Sequence, residues 1–292
     1  MKSESIYRWK HGKQRIQSYY ESYLDTLAIE YKRTYVNTRY GKTHVLTTGP
    51  VNAKPIIILQ GGNAINPMTL QWFRQLFKHY RIIAPDTIGH PGYSDEVRIS
   101  AKDKSFANWI LDIMSYFQVE RSAFIGPSYG AGIILRLAAN FPEKIDCAIL
   151  VNPAGIHLGP KKDMVRKILI PLVRFHRTNS ETHLQKITDH MSAGMMRQQD
   201  QQLIGEIFRY VKLERNMPKL TKRKELVNYQ APTMVITGES DVFFPGVKIF
   251  KTARSIIPNL ISFHSYDMGH FPSDEYLSSI NLDIKTFLTR YY

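Results

Sequence analysis

The sequence predicts an α/β fold, a mostly parallel sheet with helices on both faces and one helical insertion. The main observation is a series of short, nearly continuous apolar runs that alternate with helical stretches. Such runs are typical of strands covered on both faces, and their alternation with helices indicates a parallel sheet. The runs are IIIL after Pro55, RIIAP from Arg81, AFI from Ala123, CAILV from Cys147 and TMVIT from Thr233.

The regions that flank these runs complete the predicted core. A helical lead-in over about residues 4–28 precedes two alternating β-like runs that meet at Tyr40-Gly41, which is a hairpin signal. Helices are predicted between the apolar runs, at Pro67–His79, Lys104–Gln118 and Tyr129–Asn140.

The alternation stops between residues 155 and 226. This segment contains no convincing strand but has helical pieces rich in Lys, Arg, Gln and Met. It is too long to be a bare loop in a compact domain. We therefore predict a helical cap over 155–226, on a core formed by 1–154 and 227–292.

Composition restricts the class of protein. The chain has 292 residues, 43% of them hydrophobic, and no apolar run approaches the roughly 20 residues that span a bilayer. The first residues lack the apolar region of a signal peptide. The single cysteine, Cys147, excludes an intrachain disulfide and is interpreted as a small buried hydrophobe. We expect a cytoplasmic protein without stable membrane insertion, and the oligomeric state stays open.

The net charge of +14 is spread over most of the chain, with one denser region in the predicted cap, where 15 Lys/Arg stand against 7 Asp/Glu, an excess of 8. The segment has no recognisable nucleic-acid motif, so a nucleic-acid partner is not expected. A solvated basic face is the favoured interpretation, because charge alone argues solubility and association. An anionic substrate or an acidic surface partner is the alternative.

The sharpest motif is Gly126–Gly130, with Ser128 at its centre, between a strand-like run and a helix-like stretch. In Gly-x-Ser-x-Gly a tight strand-to-helix turn holds the serine in a strained conformation. Small residues are required on either side, since larger side chains would collide where strand and helix approach. Ser128 is therefore the candidate nucleophile, exposed at the carboxyl edge of the sheet, where ligands of α/β proteins bind.

A serine hydroxyl needs a base to remove its proton. Of ten histidines, His270 is the candidate, because it lies in a loop between the last strand-like run and the last helix. A carboxylate after the preceding strand should orient the imidazole, and Gly238–Asp241 supplies it. Asp241 is our choice, with Glu239 as the alternative.

Acyl transfer also needs N–H donors for the charge that develops on the carbonyl oxygen. One candidate is the backbone N–H of Tyr129, directly after the nucleophile. The second should come from the loop Gln60–Ala64, where two glycines allow the backbone to approach a substrate closely. We assign the N–H of Gly62, with that of Asn63 as the alternative.

These residues resemble the α/β-hydrolase superfamily, over most of the chain from about Tyr31 onward, and the order Ser, Asp, His is the one that family uses. The segments Arg39–Val45 and Ala107–Trp109 are similar to carboxylesterases of the naproxen-ester-cleaving type, which have a similar length and a helical cap. The serine at the elbow differs from the aspartate of haloalkane dehalogenases and epoxide hydrolases. The resemblance to the α/β-hydrolase superfamily rests on five segments: Leu59–Gly62, Asp86–Ser94, Gly126–Gly130, Gly238–Asp241 and Gly269-His270.

The sequence departs from the family pattern at two places. His90 and Pro91 both separate two glycines that the family spaces by a single residue. The oxyanion loop has Gln60 where the family usually has a structural histidine. Gln60 is able to replace the hydrogen bonds of that histidine. The sequence does not show what shape the loop adopts with glutamine at this position.

The motifs and the resemblance together predict a serine hydrolase. The favoured activity is that of a carboxylesterase, which cleaves small to medium carboxylic esters through an acyl-enzyme on Ser128, with a small-molecule ester as partner and no cofactor. The same triad could serve amide, C–C bond or acyl-transfer chemistry, and a non-catalytic ligand-binding protein on this fold is a second alternative. No Cys/His cluster predicts a metal, and no dinucleotide fingerprint is present.

Overall fold

The computed structural model describes residues 4–292 and centres on one eight-stranded sheet. The strands are β1 (Tyr31–Thr38), β2 (Gly41–Thr48), β3 (Pro55–Ile58), β4 (Arg81–Pro85), β5 (Ser122–Pro127), β6 (Ile145–Val151), β7 (Thr233–Gly238) and β8 (Leu260–Tyr266). Their order is β1-β2-β4-β3-β5-β6-β7-β8. Strand β2 runs antiparallel to β1 and β4, and all other neighbours are parallel. The predicted α/β fold with a mostly parallel sheet is confirmed.

Helices fill both faces of this sheet and the segment between β6 and β7. They are α1 (Lys10–Leu27), α2 (Asn66–Trp72), α3 (Ser105–Tyr116), α4 (Tyr129–Asn140), α5 (Lys161–Asp163), α6 (Ile170–Thr178), α7 (Glu181–Ser192), α8 (Gln198–Tyr210), α9 (Gly246–Ile256) and α10 (Asp274–Tyr291). A π-helical turn over Met164–Leu169 joins α5 to α6, so that 161–178 is one continuous helical stretch.

Two predicted helix boundaries were wrong. The lead-in helix begins at Lys10 and not near residue 4, because Tyr7 pairs with Val211 in an isolated antiparallel bridge that holds this part of the chain extended. The helix predicted over Pro67–His79 ends at Trp72, and one 3-10 turn follows it.

Successive residues of the central strands point into two different cores. In β5, Ile125 packs with α1, α2 and α10, whereas its neighbour Phe124 packs with α3, α4 and α9. In strand β3, Ile56 belongs to the same core as Ile125, and Ile57 belongs to the same core as Phe124. This explains why the strands appear in the sequence as continuous apolar runs, since both faces of the sheet are covered.

The helices between β6 and β7 have a small core of their own, which includes Phe175, Leu184 and Phe208. Within residues 155–226 the structure shows helices and turns and no strand. Across residues 4–292, none of the helices has the length and apolar character needed to cross a bilayer.

Candidate active site

The carboxyl ends of β3, β5, β7 and the loop after β8 meet at one edge of the sheet, and Ser128 lies at its centre. Ser128 has φ +51 and ψ −116, a conformation that non-glycine residues rarely adopt. Its backbone N–H donates to Val151 O at 2.8 Å, which ties the strained residue to the end of β6.

The two glycines of the motif are required by space. A Cβ on Gly126 would lie 2.6 Å from the carbonyl carbon of Gly130, and a Cβ on Gly130 would lie 2.5 Å from Leu59 O. Any larger residue would therefore push α4 away from the sheet. This is the collision that the sequence motif predicts, and it fixes where the hydroxyl of Ser128 is presented.

His270 and Asp241 form a buried pair beside this serine. Asp241 Oδ2 lies 2.7 Å from His270 Nδ1, and the side chain of Asp241 is fully buried. The other carboxylate oxygen accepts the backbone N–H groups of Phe243 at 2.7 Å and Phe244 at 3.1 Å. The Asp241 carboxylate therefore has a hydrogen-bond partner on each oxygen, and Glu239 is exposed instead of reaching the imidazole.

Two further residues position the histidine loop. Asn152, at the end of β6, donates through Nδ2 to His270 O at 3.0 Å and accepts the N–H of Gly238 at 2.7 Å. The backbone N–H of His270 donates to Met191 O at 2.7 Å, at the end of α7. The candidate base is thus held from the sheet on one side and from the helical insertion on the other.

In the loop after β3, the N–H of Gly62 is free to act as an oxyanion donor, whereas those of its two neighbours are not. The N–H of Gly61 donates to Thr69 Oγ1 at 3.3 Å, and that of Asn63 donates to His90 Nδ1 at 3.2 Å. The N–H groups of Gly62 and Tyr129 have no acceptor among residues 4–292. Gly62 lies against Tyr129, since a Cβ on Gly62 would come within 2.9 Å of the Tyr129 Cβ.

Gln60 braces this loop from inside the protein. It is fully buried, its Nε2 donates to Ala64 O at 2.9 Å, and its Oε1 accepts the N–H of Thr87 at 3.1 Å. One side chain thus joins the oxyanion loop to the loop after β4. A donor and an acceptor are both needed at this position, and a glutamine amide supplies both without depending on pH.

Residues 211–218, which follow α8, cross over the oxyanion loop, and we call this segment the strap. Asn63 Nδ2 donates to Glu214 O at 3.1 Å, and the N–H of Glu214 donates back to Asn63 Oδ1 at 2.7 Å. The hydroxyl of Tyr129 donates to Asn216 O at 3.3 Å. Both segments that carry a free N–H are therefore bonded to the strap.

A buried histidine supports the loop from the other side. His90 accepts the N–H of Asn63 on Nδ1, and its ring packs against Tyr129 with centroids 4.8 Å apart. Burial, assisted by the charge of Arg98, lowers the pKa of His90 to about 3, so the ring is neutral and able to accept. Arg98 in turn pairs with the buried carboxylate of Glu214 at 3.4 Å.

A cavity of about 220 Å³ opens beside Ser128 and His270. Its walls are aliphatic and aromatic, contributed mainly by the helical insertion and the Asp241 and His270 loops: Ile168, Leu169, Leu172, Met191, Ile204, Phe208, Leu213, Met217, Phe243, Phe244 and Phe271. Of the five methionines within residues 155–226, Met191 and Met217 line the cavity. The others, Met164, Met195 and Met196, pack against hydrophobic clusters.

A second compartment of about 30 Å³ touches the same serine and histidine on the side of α2, where Met68 and Trp72 form its wall. A larger open groove of about 1130 Å³ lies at the amino ends of the parallel strands, near Arg81. That groove is at the opposite edge of the sheet from Ser128. The chemistry therefore belongs to the two compartments that meet at Ser128.

The described residues contain no group of three or more His, Cys, Asp or Glu side chains placed to hold a metal ion. Cys147 is buried in β6, and burial raises the pKa of its thiol to about 12. It is therefore an inert packing residue.

Comparison with known proteins places this geometry in a family. Residues 54–275 match the family model of the alpha/beta hydrolase fold. The chain belongs to the α/β-hydrolase family. The serine turn, the buried Asp–His pair and the glycine loop of this hydrolase lie within the matched residues.

Within the family, the hydrolase is similar to carboxylesterases along nearly its whole length. It is 25% identical over 283 residues to the uncharacterized carboxylesterase nap of Bacillus subtilis, covering 92% of this chain and 91% of that protein. It is also 25% identical over 285 residues to carboxylesterase YbfK of the same organism, covering 94% and 93%. The solved naproxen esterase of B. subtilis shares the fold, with a TM-score of 0.80 at 20% identity, covering 96% of this chain and 99% of that one. These findings support a carboxylesterase-like hydrolase and confirm the resemblance found in the sequence.

Sequence reasoning found the residues at the strand ends but missed those that position them. Asn152 follows the apolar run of β6 just as Asp241 follows that of β7, so its place in the sequence was a signal that could have been used. Glu214 and the backbone of Met191 had no such signal. They lie in the helical insertion, and only the folded chain brings them to the site.

Proposed function

We propose that this hydrolase is a serine carboxylesterase that cleaves small to medium carboxylic esters, with Ser128, His270 and Asp241 as its catalytic triad. The observation that carries the proposal is that a strained serine and a buried histidine–aspartate pair line one apolar cavity. We also propose residues 155–226 as a cap that forms the cavity roof, on a core of 1–154 and 227–292.

In the first step Ser128 Oγ attacks the acyl carbon while His270 Nε2 takes its proton. The carbonyl oxygen becomes an oxyanion that accepts the N–H groups of Gly62 and Tyr129. Asp241 holds Nδ1–H, which keeps Nε2 as the basic nitrogen and stabilises the imidazolium. The bond to the alcohol oxygen then breaks, the alcohol takes the proton from His270, and an acyl-Ser128 ester remains.

In the second step a water molecule gives a proton to His270 and attacks the acyl carbon. The same two N–H groups hold the second oxyanion. The bond between the acyl carbon and Ser128 Oγ breaks, the carboxylic acid leaves, and the proton returns to Ser128. The three phenylalanine rings within 5.0–5.6 Å of the His270 ring keep this proton transfer in a low-dielectric environment.

The two compartments support a division of the substrate. The smaller, about 30 Å³, has room for little more than a water or two. The larger, about 220 Å³ with apolar walls, accepts a longer aliphatic or aromatic group. We infer that an ester places its small half on the α2 side and its larger half under the cap.

The experiment is hydrolysis of two ester series by the wild type and by Ser128→Ala. One series lengthens the acyl group of p-nitrophenyl esters from acetate upward, and the other lengthens the alcohol of acetate esters. We expect kcat/KM to change little with chain length in one series and to fall steeply with chain length in the other. Loss of the nucleophile should lower kcat by roughly 10⁴-fold or more.

Ser240→Ala is the matched control, because Ser240 is exposed on the Asp241 loop, and it should change activity by about twofold at most. Ester turnover that survives in Ser128→Ala would contradict the proposal. Labelling of wild-type Ser128 by a fluorophosphonate, without turnover of any ester, would favour amide or C–C bond chemistry on the same triad. No labelling would favour a non-catalytic binding protein, and ester products formed with added alcohols would show acyl transfer.

A further inference from the structure

The helical stretch 161–178 carries a row of exposed aliphatic side chains. Val165, Leu169, Ile170 and Val173 are 44%, 46%, 42% and 50% exposed. Positions 165, 169 and 173 recur every four residues, so they lie along one side of the helix. Single exposed apolar residues are ordinary, but a contiguous row of four on one helix indicates an interaction surface.

Cations flank this apolar row. The stretch holds six Lys/Arg and one Asp, and none of the six forms a salt bridge with residues 4–292. Positions 162, 166, 170 and 174 recur every four residues, so three cations and the apolar Ile170 lie along one side of the helix, next to the side that carries 165, 169 and 173. The cations are Lys161, Lys162, Arg166, Lys167, Arg174 and Arg177.

The same helix forms part of the cavity beside Ser128. Ile168 and Leu172 point to the cavity from the covered side of the helix, whereas Leu169 lines the cavity and is also 46% exposed. The exposed apolar row therefore reaches the wall of the cavity. Whatever covers this face lies next to the substrate.

We propose that residues 161–178 dock the protein peripherally on an anionic lipid surface. An amphipathic helix with aliphatic residues on one side and Lys/Arg beside them lies in the interface of a bilayer, with its apolar row among the upper acyl chains. Each cation near an anionic leaflet strengthens this attachment. The proposal goes beyond the esterase function and does not depend on it, because docking requires neither Ser128 nor His270.

The composition of this face favours lipid over other polyanions. Its exposed apolar residues are aliphatic, and the one aromatic ring of the stretch apart from His176, Phe175, is buried. Single-stranded nucleic acid is bound through several exposed aromatic rings on which successive bases stack, and this stretch exposes the imidazole of His176 and no other ring. An acidic protein would be matched by the charges alone and would leave the aliphatic row unexplained.

The test is flotation with vesicles of phosphatidylcholine mixed with phosphatidylglycerol, compared with phosphatidylcholine alone. We expect the wild type and Ser128→Ala to float equally with the anionic vesicles. Neither protein should float with the neutral vesicles. Added salt should weaken the binding, since the charges at the surface are screened. Equal flotation of the two proteins separates docking from catalysis, so failure of one proposal leaves the other standing.

Two matched triple variants locate the surface. Lys162→Glu, Arg166→Glu and Arg174→Glu together should weaken vesicle binding by roughly a hundredfold or more. Lys248→Glu, Lys251→Glu and Arg254→Glu change the net charge equally on α9, which also exposes Val247 and Phe250 but does not line the cavity. This control should keep most of the binding.

A third variant tests the aliphatic row. Val165→Ser with Val173→Ser should lower vesicle binding by roughly tenfold and leave the net charge unchanged. Neither valine lines the cavity, and the midpoint of urea unfolding serves as the check that each variant is folded, whether or not the protein cleaves esters.

Three results would overturn the proposal. The first is that the folded wild type fails to float with anionic vesicles. The second is that the α9 triple loses as much binding as the triple on 161–178, which would assign binding to overall charge. The third is that the valine variant binds as well as the wild type, while polyglutamate or single-stranded DNA competes fully, which would assign the face to an acidic macromolecule.

Discussion

The carboxylate that orients His270 and the oxyanion loop are held by different parts of the chain. Asp241 and the two backbone N–H groups that donate to it, from Phe243 and Phe244, lie within six residues of the end of β7. The oxyanion loop, in contrast, is bonded through Asn63 to Glu214, which is 151 residues away and lies after α8.

This difference separates what the fold supplies from what the insertion supplies. The ends of parallel strands bring Ser128 and Asp241 to one edge of any sheet with this topology. The shape of the Gly62 loop depends on the strap, and the strap depends on how the cap folds. Changes in residues 155–226 should therefore act on the Gly62 loop and, through the bond from His270 to Met191 O, on the histidine, but not on the Asp241 carboxylate.

The largest effect is expected on the histidine side, from Asp241→Asn. The amide keeps the acceptor for Phe243 and Phe244, but its NH₂ group faces His270 Nδ1 and favours the tautomer with Nε2 protonated. The base would then be unable to take the Ser128 proton, and kcat on p-nitrophenyl acetate should fall by about 10⁴-fold with little change in stability. Glu239→Gln, two residues away and exposed, is the control and should be near wild type. An active Asp241→Asn would remove Asp241 from the proposed triad.

The second effect concerns Gln60, whose side chain joins the oxyanion loop to the loop after β4. Gln60→Leu has a similar size but leaves Ala64 O and the N–H of Thr87 buried without partners. We expect a loss of about 2–4 kcal/mol in the free energy of unfolding, measured by urea titration. Gln14→Leu, on the exposed side of α1, is the control for a glutamine-to-leucine change. A Gln60→Leu protein as stable as the wild type would show that the two bonds contribute little.

The third effect concerns the cap side, where Asn63→Gly removes both bonds to the strap. Glycine tolerates φ +51 at this position, so backbone strain does not enter the comparison. The Gly62 N–H should lose its fixed direction, and kcat should fall by roughly 10–100-fold with a smaller change in KM.

Asn179→Gly is the matched control for this variant. Asn179 is also an asparagine with φ near +50 whose side chain forms one bond, to Arg209, but it lies at the end of α6 and lines neither compartment. A drop of the same size in both variants would mean that the loss arises from general loosening of the protein. A drop in Asn63→Gly alone would assign it to the strap.

The same contrast explains how much the sequence could predict. Ser128, Asp241 and His270 each follow a strand-like run, and strand ends of a parallel sheet converge, so local pattern was enough to name them. The start of the first helix was wrong because Tyr7 pairs with Val211, a contact that no local pattern shows. The contact between the strap and the oxyanion loop is also long-range. Asn63 and Glu214 are 151 residues apart, and neither segment has a local pattern that predicts the contact.

The smallest expected effect at neutral pH comes from His90, because its contribution changes only in acid. Its pKa is about 3 in the folded protein, below the ordinary 6.5. Between these values the unfolded chain binds a proton that the folded protein excludes. The free energy of unfolding therefore falls as pH drops through this window, and the full contribution of His90 is present above it. The contribution of one such proton to the slope is at most about 1.4 kcal/mol per pH unit.

His90→Gln isolates this contribution, because a glutamine keeps an acceptor for the Asn63 N–H but does not titrate. Urea unfolding of both proteins across the window should give a steeper pH dependence for the wild type, with the two curves converging in slope above pH 6.5. Parallel curves would show that His90 binds its proton equally in both states, and the neutral ring would then not be what holds Asn63. A shallower slope in the variant, with activity kept at neutral pH, would show that a non-titrating acceptor suffices at this position and that the histidine sets only the acid limit.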